Sequence, residues 1–184
     1  FVTNIRKNGL QTGFFATEHL LPLLVEAGEQ KLAYDVLLQE NCPGWMYQVK
    51  CGATTTWERW DALKPDGTVN EEKMAGSGEN MVSFNHYAFG SVGEFYYQYI
   101  LGIRPEKPGF EKLHFAPYPD ERLGGVSGSY LSVAGQIERA LLYEADGCHI
   151  RLATPVEAVV LLPDGRSENV PAGTYEWTVK RPNL

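Results

Sequence analysis

Residues Ile103-Arg104-Pro105-Glu106-Lys107-Pro108-Gly109 crowd two prolines and a glycine into one short stretch, and no helix can cross them. Each proline removes a backbone donor and fixes φ, so this stretch reads as a linker. The sequence on its two sides follows different periods. Before it, apolar residues recur every three to four positions; after it come short runs of Val, Ile, Leu and Tyr broken by turn residues. The expected architecture is therefore α then β, with a helical part over residues 1–104 and a β-sandwich domain over 105–184.

Between Thr17 and Asn41, Leu20, Leu21, Leu24 and Val25, then Leu32, Ala33, Val36 and Leu37, mark two amphipathic helices. Gly28 separates them and Pro43-Gly44 ends the second, which makes an αα-hairpin; Pro22 is expected in a first helical turn, where its missing N–H costs least. A longer helix is expected from Ser83 to Leu101, with Phe84, Ala88, Phe89, Val92, Phe95, Tyr96 and Tyr99 on one broad face and Gly102 as its stop. In the second half, Pro117, Pro119, Gly124-Gly125, Asp146-Gly147 and Asp164-Gly165 divide about seven short strands, and the Asp-Gly pairs are hairpin signals. A small antiparallel β-sandwich follows.

Composition narrows the function. The 184 residues carry 16 basic and 23 acidic side chains, a formal charge of −7, spread evenly on both sides of Arg104. Without a Lys/Arg cluster to displace counterions, nucleic acid is not an expected partner. No apolar run approaches the roughly 20 residues that cross a bilayer, so no membrane partner is expected either. Neutral or weakly charged substrates fit better. Cys42, Cys51 and Cys148 are odd in number and lack C-x-x-C spacing, which argues for neither a disulfide framework nor a zinc site. The chain opens at Phe1 in already patterned sequence and reads as a piece of something longer, whose compartment is expected to be periplasmic or extracellular rather than cytoplasmic.

The chemistry concentrates in two segments. In GATTTWERWDA, Gly52 to Ala62, Glu58 lies between Trp57 and Trp60 with Arg59 and Asp61 beside it. A pyranose offers C–H faces that stack on indoles and hydroxyls that need charged partners, so this mixture suits a carbohydrate. A plainer reading is also open: Thr55-x-x-Glu58 is a capping box, with Glu58 at a helix N-terminus whose dipole keeps it ionised, and both tryptophans in the core. In MVSFNHYAFGSVGEF, Met81 to Phe95, Asn85 and His86 are expected in the first turn of the aromatic helix, with Ser83 as its cap and His86 either ligand-facing or half-buried. Glu94 is expected as a solvated or supporting carboxylate. Neither H-E-x-x-H, G-x-S-x-G nor a P-loop occurs.

The order TGFFATEHLLPLLVEAG, LAYDVLLQENCPGWMYQV, GATTTWERWDA, SFNHYAFGSVGEFYYQYILGI, then a Pro-Gly stretch leading into strands, resembles the C-terminal part of bacterial α-L-rhamnosidases, glycoside hydrolase family 78. The resemblance spans nearly the whole chain. It implies the terminal helices of an (α/α)6 barrel followed by a β-sandwich, and an inverting hydrolysis of rhamnose-containing glycosides that needs no metal or organic cofactor. By motif, Glu58 would be the general base, His86 a sugar contact, and Trp57 and Trp60 walls of the sugar pocket. The general acid belongs to an earlier family motif with no counterpart before Glu58. The stretch LKPDGTVNEEKMAGSGENMV between the two motifs is longer than the family pattern, and GQIERALL lacks a Trp often found after Gly-x-Ile. The chain alone is then expected to hydrolyse no rhamnoside and to cover its apolar helix faces by self-association or with the remainder of the parent chain. The alternative is a noncatalytic carbohydrate-binding or structural module.

Overall fold

In the computed structural model, which describes residues 1–71 and 82–180, a short helix α1 (Val2–Asn8) leads into α2 (Phe14–Glu26), α3 (Gln30–Leu38) and α4 (Trp45–Lys50). The chain forms two compact units, residues 1–93 and 94–184. In the first, α2 buries Leu20, Leu21, Leu24 and Val25 while α3 buries Ala33, Tyr34, Val36 and Leu37. Each large aliphatic side chain so removed from water contributes about 1.5–3 kcal/mol, which drives the two stripes together. Gly28 makes the turn with φ 77°. Its N–H donates to the carbonyl of Val25, and that of Glu29 to Leu24, closing the end of α2.

Pro22 departs from expectation. Because α2 already begins at Phe14, Pro22 lies inside the helix, well beyond its first turn. The carbonyl it leaves without a helical partner is that of Glu18, an exposed residue that water can reach.

The aromatic helix also begins later than its spacing predicts. Ser83–Tyr87 is not helical; a 3₁₀ turn covers Ala88–Ser91, one α-turn Val92–Phe95 and a π-turn Tyr96–Ile100. Gly102 stops it as expected, at φ 74°, and a Cβ there would meet the nitrogen of Pro117 at 2.4 Å. Only glycine satisfies both conditions.

In the second unit the expected linker is itself ordered. Ile103–Pro105 is strand β1 and pairs with β2 (Leu113–Phe115), while Pro108–Phe110 makes a 3₁₀ turn. Pro105 is tolerated because β1 lies at a sheet edge. Strands β3 (Gly125–Ser132), β4 (Gly135–Glu144), β5 (Gly147–Thr154), β6 (Ala158–Leu161), β7 (Ser167–Val170) and β8 (Gly173–Val179) complete two four-stranded sheets, ordered β1-β2-β6-β7 and β3-β4-β5-β8. The Asp146-Gly147 and Asp164-Gly165 pairs fall at the β4–β5 and β6–β7 connections. The sheets are not wholly antiparallel: β2 runs parallel to β6, Leu113 opposite Ala158, because the hairpins β1–β2 and β6–β7 are joined through the other sheet. Alternate residues such as Cys148, Ile150 and Leu152 face inward and meet Phe115 and Val160 in one core. No helix among the described residues is long and apolar enough to cross a membrane.

Candidate active site

The two chemical motifs are bonded to each other. Glu58 donates its N–H to the carbonyl of Ser83 (2.9 Å), and its Oε2 accepts from the N–H of Ser83 (2.8 Å). Two residues back, the carbonyl of Thr56 accepts from the N–H of His86 (2.8 Å), and Thr56 Oγ1 donates to the carbonyl of His86 (2.7 Å). Thr55 Oγ1 donates to the carbonyl of Phe84. This seam overturns the capping-box reading: Thr55–Asp61 is not helical, Thr55 caps nothing, and Glu58 is held by Ser83 rather than by a helix dipole. It also explains why Ser83–His86 precedes the aromatic helix, since the backbone of Ser83, Phe84 and His86 is already committed to the other motif. Of the stretch between the two motifs that was expected to be longer than the family pattern, residues 72–81 lie outside the described residues.

A cleft of about 570 Å³ opens in front of the seam. It is lined by Thr12–Phe14 at the start of α2, by Cys42-Pro43, by Glu58–Asp61 and by Phe89. Trp60 is its flat wall. Its ring stacks on Phe89 at 3.8 Å and 12°, meets the edge of Trp45 at 5.0 Å, and donates from Nε1 to the carbonyl of Thr12 (3.2 Å). Two ring contacts and a hydrogen bond fix the indole in advance of any ligand. The start of α2 is fixed too, by Thr17 Oγ1 bonding to the carbonyl of Gly13 (2.7 Å) and to Thr12 Oγ1 (2.9 Å).

Charge in the cleft is paired. Arg59 grips Asp61 with two parallel bonds, Nε to Oδ1 (2.6 Å) and Nη2 to Oδ2 (2.9 Å), and Asn70 Nδ2 adds a third at Oδ2 (2.8 Å). Arg59 above all, and then Asn70, hold the Asp61 carboxyl below the ordinary carboxylate range against the opposing effect of burial. Burial pushes the Cys42 thiol up, with the Asp61 charge adding to it, so at neutral pH it is a thiol and a poor nucleophile.

The remaining expected site residues separate. His86 stacks on Phe14 (4.7 Å, 22°), a residue of the cleft wall. Its Nδ1 accepts from the N–H of Ala88 (3.3 Å), so in the neutral ring the proton sits on Nε2. Trp57 is not on the cleft wall: it is 3% exposed, packed with Tyr47 and Ala62, and its N–H donates to Gln48 Oε1 (3.2 Å). Sequence reasoning did not find Phe14, Phe89, Asn70 or Gln48. Phe14 and Phe89 stood inside quoted motifs, but nothing local marked them as wall residues; Asn70 and Gln48 act only through distant partners. Glu94 lies in the second unit and accepts from Gln98 Nε2 one turn on.

Among the described residues one trio could hold a metal ion: Glu144, Asp146 and His149 of the β4–β5 hairpin, whose ligand atoms lie within 4.8 Å of one another. Asp146 already satisfies His149 Nε2 at 3.0 Å.

A helical unit with a carboxylate-bearing cleft, followed by a two-sheet unit, defines a class: residues 1–100 match the bacterial alpha-L-rhamnosidase 6 hairpin glycosidase domain, and residues 102–176 the bacterial alpha-L-rhamnosidase C-terminal domain. The chain belongs to the bacterial α-L-rhamnosidase family. An α-L-rhamnosidase of Alteromonas sp. is 36% identical over 79% of the chain, and one of Streptomyces avermitilis 34% identical over 88%. The chain spans only 15% of each of these relatives. The crystal structure of native α-L-rhamnosidase from Aspergillus terreus superposes with a TM-score of 0.87 at 34% identity, over 97% of this chain and 21% of that one. The Streptomyces avermitilis enzyme, solved with L-rhamnose, gives 0.85 at 32%, over 97% and 19%.

Proposed function

We propose that this chain supplies the general base and one wall of the sugar pocket of an inverting α-L-rhamnosidase acting on rhamnose-containing glycosides. The observation that carries the reading is the state of Glu58. Its Oε2 is anchored by a backbone donor, while Oε1 has no protein partner among the described residues and belongs to a group on the cleft wall beside a fixed indole. Oε1 is free to accept a proton from water. The water attacks the anomeric carbon from the face opposite the leaving group, its O–C bond forming as the glycosidic C–O bond breaks, and Glu58 takes its proton. A separate carboxylic acid protonates the departing oxygen, at roughly 6.5–9.5 Å from the base in inverting enzymes.

Trp60 presents a planar apolar face to the C–H face of the sugar, His86 offers Nε2 to a hydroxyl, and Trp57 carries the loop from the core side. Asp61 is a poor acid because Arg59 favours its ionised form. The acid is thus assigned to the remainder of the enzyme, and this favours a second reading in which the isolated chain only binds sugar. On this reading the enzyme acts in the periplasm or outside the cell, and its barrel helices are covered by the remainder of the parent chain or by a second copy.

The test is Glu58→Gln in the full-length protein carrying this chain, assayed on an aryl α-L-rhamnoside. The amide keeps one acceptor for the N–H of Ser83 but cannot take up a proton, so turnover should fall about 10²- to 10⁴-fold with the melting temperature nearly unchanged. Near-normal turnover would remove Glu58 from the chemistry.

A further inference from the structure

Asp61 has one acceptor position left over. Apart from its own backbone N–H, its Oδ2 takes two donors, from Arg59 Nη2 and Asn70 Nδ2, whereas among the other described residues Oδ1 takes Arg59 Nε alone. A carboxylate oxygen has two lone-pair directions, so Oδ1 retains one. The side chain is 45% exposed and lines the same cleft as Glu58 and Trp60. The surroundings make that position an acceptor and not a donor: a bidentate guanidinium, itself only 13% exposed at its side chain, and a buried amide both deliver N–H groups to the carboxylate. Three donors in fixed directions also leave Asp61 no freedom to turn. Such a group is suited to choose among ligands by where they carry a hydroxyl.

We propose that Asp61 is a specificity-determining residue of the cleft, accepting a hydrogen bond at Oδ1 from one ring hydroxyl of the bound sugar, with Arg59 and Asn70 as its positioning residues. This rests on the rhamnosidase reading and deepens it. The bond is charge-assisted, and a sugar lacking that hydroxyl leaves a partly buried carboxylate oxygen facing an apolar C–H, so discrimination should be large. Trp60 sets the plane of the ring; Asp61 sets its rotation within that plane.

The test uses the full-length protein with aryl α-L-rhamnosides from which the ring hydroxyls at C2, C3 and C4 are removed one at a time. For one of the three, the wild-type enzyme should lose roughly 10- to 100-fold in kcat/KM, chiefly through KM. Asp61→Ala should lose a similar factor on the complete sugar and almost nothing further on that analogue. Asp61→Asn provides the same comparison in a side chain of equal size, should the alanine variant fold poorly. If all three deletions cost the variants as much as they cost the wild type, Asp61 touches no hydroxyl and the proposal falls, whatever happens to the melting temperature. A wild-type protein that cleaves no rhamnoside overturns this proposal and the reading beneath it together. An active enzyme with simply additive losses overturns this one alone.

Discussion

The two units hold their shape by different means. The second is a ladder structure, in which β4 and β5 pair continuously from Glu138 opposite Ala153 to Glu144 opposite Gly147, above a core that both sheets share. In the first unit the described stretches that carry the seam, Thr55–Asp61 and Ser83–Tyr87, form neither strands nor helices; order comes from paired hydrogen bonds to Ser83 and His86, aromatic stacks, and one charge cluster. A ladder spreads its energy over many equivalent contacts. A seam places it in a few, and so can hold an irregular backbone and aim individual side chains. Damage to the sandwich should therefore appear as lost stability, and damage near the seam as lost binding or turnover.

The largest effect that could break this comparison is Phe115→Ala. Phe115 is fully buried between the sheets, and its removal should cost about 3–5 kcal/mol in chemical denaturation of the sandwich. Activity per folded molecule should stay near that of the wild type. A fall in kcat/KM among correctly folded molecules would mean that the sandwich contributes to the chemistry.

A smaller effect is expected at His86. Its backbone bonds to Thr56 survive substitution, so His86→Ala should shift melting only slightly while weakening rhamnose binding by about tenfold, the loss of roughly one hydrogen bond. Calorimetric titration beside a thermal melt measures both. Unchanged affinity with a large drop in melting temperature would make His86 a packing residue.

The smallest effect concerns pH and the β4–β5 hairpin. His149 is raised above its ordinary 6.5, first by its bond to Asp146, and Asp146 is lowered from its ordinary 3.8, first by the same bond. The raised histidine contributes fully below 6.5 and loses its contribution as pH rises through its folded value; the lowered aspartate contributes above 3.8 and loses it as pH falls through its own. The pair should be most stabilising between those two limits. Melting temperature recorded from that window to well above it should show a shallow decline above 6.5 that His149→Gln abolishes, and an unchanged decline in the variant would assign it to other groups.

What the sequence disclosed follows the same division. Turn chemistry is local, so Asp146-Gly147, Asp164-Gly165, Gly28 and Gly102 were legible as turns or stops. The helical stripes of α2 and α3 were legible because burial repeats with the helix period. The parallel pairing of β2 with β6 was not, since no local signal connects Leu113 to Ala158. The helix expected from Ser83 failed for a related reason: aromatic spacing through Phe84, Ala88 and Phe89 continues smoothly, but the N–H groups of Ser83 and His86 bond to Glu58 and Thr56. The composition of the Trp57–Asp61 segment pointed to a sugar. Only the fold separates its members, with Trp60 on the cleft, Trp57 in the core, and Asp61 locked by Arg59.

Because Thr56 and Glu58 are tied directly to His86 and Ser83, the chain between them is bracketed at its base. Closing a loop costs only about 0.6 kcal/mol more for each doubling of its length. Added length placed after Asn70, the last residue of the interval that touches the Asp61 cluster, should therefore change the cleft little, and an engineer has there a natural port for splicing in a reporter or an extra recognition module.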